Sequence, residues 1–272
     1  MTDEKLTALR RLSLILIGVL FLAAVVWFAL PLIRQSFPTV AQINGQKPEP
    51  ERYLSLSADL EKRRVGLEQR YRSARIEKDR STIENTARAD LEQTLPAMMR
   101  CWLGTPWDFN GTGPGPGQGK IACGYFVATV LKDAGFRVDR YKLAQQASEH
   151  ILQTFIARKS FLLSAGQPYE SFVSSVGRVE PGICLVGLDS HVGFLVNDPQ
   201  GFRMIHSSGS QPWCVVDEGR DEAGALKRSS YRVVGNLTAD RGVIRKWLLA
   251  EPLKVKMPTV KPAQASPAPA GR

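Results

Sequence analysis

The feature that most restricts this chain is a run of 22 uncharged residues, Leu12 to Ile33. At ~1.5 Å per residue, a helix of that length matches a hydrocarbon core of ~30 Å. The run has no polar face, which argues against a helix of a soluble core. It is longer than the ~7–15 apolar residues of a cleaved leader. It ends in Trp27, Phe28, Pro31 and Arg34 rather than in small residues suited to cleavage. An uncleaved signal anchor over 12–33 is expected. Lys5, Arg10 and Arg11 precede it, and Arg34 alone follows closely. The excess of positive charge on the N-terminal side places residues 1–11 in the cytoplasm and the rest in the periplasm or outside the cell.

The whole chain of 272 residues carries 36 Lys and Arg against 26 Asp and Glu, a net charge of +10. The excess is spread along the chain and is concentrated only near Lys254, Lys256 and Lys261. A surface that tracks phosphates gathers its cations on one face, so no nucleic-acid partner is expected. The chain has four cysteines (Cys101, Cys123, Cys184, Cys214) and three histidines (His150, His191, His206). It has no CxxC pair, so neither a zinc ribbon nor a thioredoxin-type site is legible, and no metal or cofactor is expected. An oxidising compartment would allow a disulfide, but the spacing names no pair.

Beyond the anchor, residues 34–95 read as a linker followed by a helical stalk. Tyr53, Leu56, Leu60, Leu67, Tyr71 and Ala74 recur with a period of about 3.5–3.6. Arg63 and Arg70 interrupt a heptad seam, which favours a solvated helix over a coiled coil. Thr82–Met99 is a candidate first helix of the following domain. Residues 96–250 are long enough for one compact domain. The tail 251–272 is rich in Pro and Ala and is expected to be disordered. Within the domain, Ala122–Ala134 reads as a helix closed by Gly135. Residues 182–188, 191–196, 202–206 and 231–237 read as strands, with a turn over 197–201. Short connections imply antiparallel pairing, and helix before sheet implies an α+β fold.

A glycine-rich loop (Gly111, Gly113, Gly115, Gly117, Gly119) runs into Cys123 at the start of the predicted helix. The positive end of a helix favours a thiolate, and its free N–H groups can hold an oxyanion. A small buried cysteine in a tight turn accounts for the position equally well. The loop lacks the GK[ST] ending of a phosphate-binding P-loop, since Lys120 precedes Ile121 and Ala122. A thiol nucleophile needs a base that also holds the thiolate as an ion pair. His191 opens one strand and His206 ends the next. A hairpin would bring the two together, with His206 fixing the tautomer of His191. His150 falls in a polar helical stretch and reads as a surface residue.

Taken in order, these segments resemble the NlpC/P60 cysteine peptidases. The matching residues are Gly104-Thr105-Pro106-Trp107, the glycine loop, Cys123-Gly124-Tyr125-Phe126-Val127, His191-Val192-Gly193-Phe194 and Ile205-His206-Ser207. The resemblance covers about residues 95–237. It implies a papain-like α+β fold, with N-terminal helices packed on an antiparallel sheet after the membrane helix and stalk. It implies Cys123 as nucleophile, His191 as base and His206 as the polar residue that orients it. It places Trp107 and Gly124 at the substrate. It also implies peptidoglycan stem peptides, or another peptide, as substrate.

Three departures mark a divergent member. Trp107 stands where the family has tyrosine, Ala122 where it has aspartate before the nucleophile, and Gly124 where it has serine after it. The expected function is a membrane-anchored cysteine hydrolase of amide bonds. The rivals are a papain-like amidase, deamidase or acyltransferase on another substrate, and a catalytically degenerate wall-binding module.

Overall fold

The computed structural model describes residues 47–258. The expected anchor, its orientation and residues 259–272 of the tail lie outside the described residues. No helix among the described residues is long and apolar enough to cross a membrane.

The elements run α1 (Pro50–Ser73), α2 (Glu77–Arg100), α3 (Cys123–Asp133), α4 (Arg140–Ala144), α5 (Ser148–Phe155), β1 (Leu162–Ala165) and α6 (Tyr169–Val176). They continue with β2 (Gly182–Leu188), β3 (Val192–Asp198), β4 (Gly201–Ser207), β5 (Val215–Gly219), α7 (Gly224–Arg228), β6 (Tyr231–Asn236) and α8 (Arg241–Leu248). The six strands form one antiparallel sheet in the order β1-β6-β2-β3-β4-β5. The fold is α+β, as expected.

Every residue of β2 is buried because both faces of the sheet are covered. Ile183 and Leu185 join a core shared with α1, α2 and α3. Cys184, Val186 and Leu188 point the other way and pack with Phe172 and Val176 of α6, Leu195, Met204 and Leu226. Alternate side chains leave opposite faces of a strand, so two-sided cover turns an alternating pattern into an unbroken apolar run. Two strands escaped the sequence reading. β1 has four residues, and β5 (VVDEG) carries two acids that disguise it as a loop.

The stretch read as a solvated stalk is a helical hairpin packed on the domain. Tyr53, Leu60, Leu67 and Tyr71, the very residues of the 3.6-residue period, are buried in the main core. The Tyr53 hydroxyl donates to Asp133 at 3.0 Å, and its ring meets Trp102 edge-on at 5.6 Å. Arg63, which interrupts the heptad, donates to Thr94 of α2 at 2.8 Å and pairs with Asp90. Its neighbour Arg64 is 4% exposed and donates to Glu61, to Glu68 and to the Leu248 carbonyl at 2.9 Å. Buried Glu84 accepts from Tyr71, Arg241 and Arg245, which ties the hairpin to α8. Arg63 and Arg70 are themselves exposed, and Arg64 and Glu84 carry the buried charge at the helix–helix seam.

The start of the expected disordered tail is also ordered. The Leu253 N–H donates to the Arg137 carbonyl at 2.8 Å, the Lys256 N–H donates to Thr154 Oγ1 at 3.0 Å, and Val255 is buried between them.

Candidate functional site

The site is assembled where the start of α3 meets the ends of β3 and β4. Ala122 precedes the helix with an extended backbone, and the first helical bond runs from the Phe126 N–H to the Ala122 carbonyl. The N–H groups of Cys123, Gly124 and Tyr125 therefore lie ahead of the helical ladder. The approach to Cys123 is fixed by the glycine loop. The Ala122 N–H donates to the Gly111 carbonyl at 2.9 Å, and a Cβ on Gly111 would lie 2.7 Å from the Ile121 nitrogen. Arg140 holds the loop from behind, donating to the Gly113 carbonyl at 2.8 Å and to Thr129 at 2.6 Å. Ser207 of β4 donates to the Ile121 carbonyl at 2.7 Å and joins the loop to the sheet.

Gly124 has a packing reason. A Cβ there would clash with the Ala144 carbonyl oxygen, so α4 leaves no room for a serine side chain at this position.

The two histidines meet as the hairpin predicts. Phe194 pairs with Ile205, so continuing the register sets Gly193 opposite His206. His191, two residues earlier, falls on the same face. A Cβ on Gly193 would approach the His206 Cβ to 2.9 Å, and glycine keeps that contact open. His191 itself lies just before β3, in a turn closed by the Leu188 N–H on the His191 carbonyl at 2.8 Å. Its Nε2 lies 2.7 Å from Nδ1 of His206. His206 is 1% exposed, and its Nε2 lies 2.9 Å from a Glu218 carboxylate oxygen on β5. Glu218 was not anticipated. His206 pairs with Val216, which makes Glu218 its diagonal neighbour on the same sheet face. That relation was hidden because β5 itself went unread.

Cys123 is half-buried and shares one groove with His191 and His206. Backbone N–H groups of Val192, Gly124 and Cys123 favour its thiolate, but burial outweighs them and pushes the thiol up. Burial, with a smaller contribution from neighbouring His206, pulls His191 down to about 3. The resting pair is a neutral thiol and a neutral imidazole. The ion pair expected from the helix dipole alone is not the ground state, because desolvation disfavours both charges.

The groove has a volume of about 880 Å³. Trp107 lines it and packs against Trp213 with ring centroids 5.3 Å apart. Tyr125 brings a phenol to the same groove, although Trp107 removes one. Gln145, Ser208, Ser210 and Arg228 supply polar walls. A smaller recess of about 220 Å³, bounded by Ser148 and Ile151, also opens on Cys123 and His191. His150, on α5, lines neither, and its Nδ1 is buried with no hydrogen-bond partner among the described residues. Cys101, Cys184 and Cys214 are buried free thiols, and no disulfide joins cysteines among the described residues. No group of side chains suited to a metal ion occurs among the described residues.

Comparison with protein-family models, with curated proteins and with solved structures gives no match. The likeness to NlpC/P60 peptidases rests on the motif residues alone.

Proposed function

We propose that this protein is a cysteine hydrolase of amide bonds with a papain-like catalytic arrangement. One observation carries the reading: a half-buried cysteine at a helix start shares a groove with a histidine whose far nitrogen is held by a second histidine. His191 Nε2 faces His206, which leaves Nδ1 as the nitrogen able to take the thiol proton. Since both groups rest neutral, the Cys123 proton moves to His191 as Sγ attacks the carbonyl carbon. The helix-start N–H groups receive the developing oxyanion. His191 then returns the proton to the leaving amine as the C–N bond breaks. Water, deprotonated by His191, attacks the thioester, and the acid departs with Cys123 reprotonated.

The groove volume suits a peptide of a few residues. With the motif resemblance, this favours stem peptides of peptidoglycan. In this reading Leu12–Ile33 anchors the enzyme in the cell membrane and the domain works on its outer side. Purified wall fragments, analysed by mass spectrometry, test it. The native enzyme releases shortened muropeptides, and Cys123→Ala releases none. Equal turnover by the variant rules out the nucleophile. Cleavage of simple amides but not of wall fragments points to an amidase of another substrate.

A further inference from the structure

We propose that Glu218 is a positioning residue that sets the tautomers of both imidazoles and so makes Nδ1 of His191 the base. The inference rests on the reading of Cys123 and His191 as thiol and base, and adds a fourth member to the site. The geometry is a chain of two contacts, His191 Nε2 to His206 Nδ1 at 2.7 Å and His206 Nε2 to Glu218 Oε2 at 2.9 Å.

A carboxylate has acceptors and no proton to donate. His206 Nε2 must therefore carry the hydrogen that bonds Glu218. In the neutral form that this proposal takes for His206, the ring has one N–H, so Nδ1 is a bare acceptor. The ring facing it must then donate, and the hydrogen of His191 lies on Nε2. The lone pair of His191 is left on Nδ1. Each step follows from the previous one, and only Glu218 breaks the symmetry. Without it, the two rings could hold their protons the other way round, with Nδ1 of His191 protonated and unable to accept.

The carboxylate is reserved for this duty. Along β5, Asp217 faces the opposite way and takes the cations, pairing with Arg100 at 2.8 Å and Arg203 at 2.7 Å. Among the described residues, the charge partner of Glu218 is His206 alone. The buried state of His206 excludes water as a substitute acceptor or donor. When His191 takes the thiol proton, its Nε2–H still points down the chain toward the negative charge, which favours the imidazolium in the transition state.

The test uses the full-length protein labelled with ¹⁵N-histidine and long-range ¹H–¹⁵N spectra, which distinguish protonated from bare ring nitrogens. It needs no substrate, so it stands or falls separately from hydrolysis of any peptide. The native protein is expected to show His191 and His206 both protonated at Nε2. In Glu218→Leu, no acceptor faces His206 Nε2. With the asymmetry removed, a population with both His206 and His191 protonated at Nδ1 is expected to appear. The same variant is expected to lose on the order of 10²-fold in the rate of Cys123 alkylation by iodoacetamide, the scale of a lost general base. A native spectrum with His191 protonated at Nδ1 overturns the proposal. So does a folded Glu218→Leu protein with native tautomers and a native alkylation rate.

Discussion

At the scale of single residues, the four cysteines separate by environment rather than by sequence. Cys184 is pushed up to about 12 and Cys214 to about 11 by burial, and Cys101 is raised for the same reason. Cys123 alone is partly exposed. Brief alkylation of the native protein, mapped by mass spectrometry, should therefore modify Cys123 and leave the other three until the chain unfolds. His191 gives a pH signature with a definite sign. Its folded value of about 3 lies below the ordinary 6.5, so above pH 6.5 it is neutral in both states and contributes no pH dependence. Between pH 6.5 and about 3 the unfolded chain binds a proton that the folded chain refuses. Stability falls as pH falls through that window, by at most about 1.4 kcal/mol per pH unit. Urea midpoints measured from pH 6.5 to 4 should drop more steeply for the native protein than for His191→Gln. Parallel slopes would show that His191 is not held neutral by burial. Cys123, His191 and His206 were legible because each lies in a recognisable local pattern. Glu218 was not, since its role depends on which strand lies beside β4.

Among the elements, α1 and α2 most changed meaning. The period of Tyr53, Leu60, Leu67 and Tyr71 was legible as a helix face, but what that face meets is a property of the fold. Arg63 and Arg70, which interrupt the heptad, are exposed. Arg64 and Glu84, which no pattern singled out, bind α1 and α2 to α8. Leu60→Ala should lower the unfolding free energy of the whole domain by about 2–5 kcal/mol, measured in urea. An independent stalk would leave the domain's midpoint unchanged. The strand–turn–strand unit of β3 and β4 was predictable to within two residues, because Pro199 and Gly201 mark the turn, although Asn197 and Asp198 extend β3 beyond the expected end. α3 was equally plain, with Phe126, Val127, Val130 and Leu131 on a buried face.

For the whole molecule, the expected boundary near residue 96 cuts through α2 and exposes the face that α1 and α2 share with the domain. Residues 96–258 alone should fail to give a cooperative thermal transition, whereas residues 47–258 should melt cooperatively; calorimetry of the two fragments decides this. An antiparallel α+β fold, a helix beginning at a cysteine and a hairpin carrying two histidines were determined by the sequence, because periodicity, turn residues and glycine positions act over a few neighbouring residues. The partner of the helical hairpin, the acid behind His206 and the neutral resting state of the thiol and imidazole were decided only by tertiary structure. Those depend on which distant segments exclude water from one another, and desolvation is not encoded in any single stretch of chain.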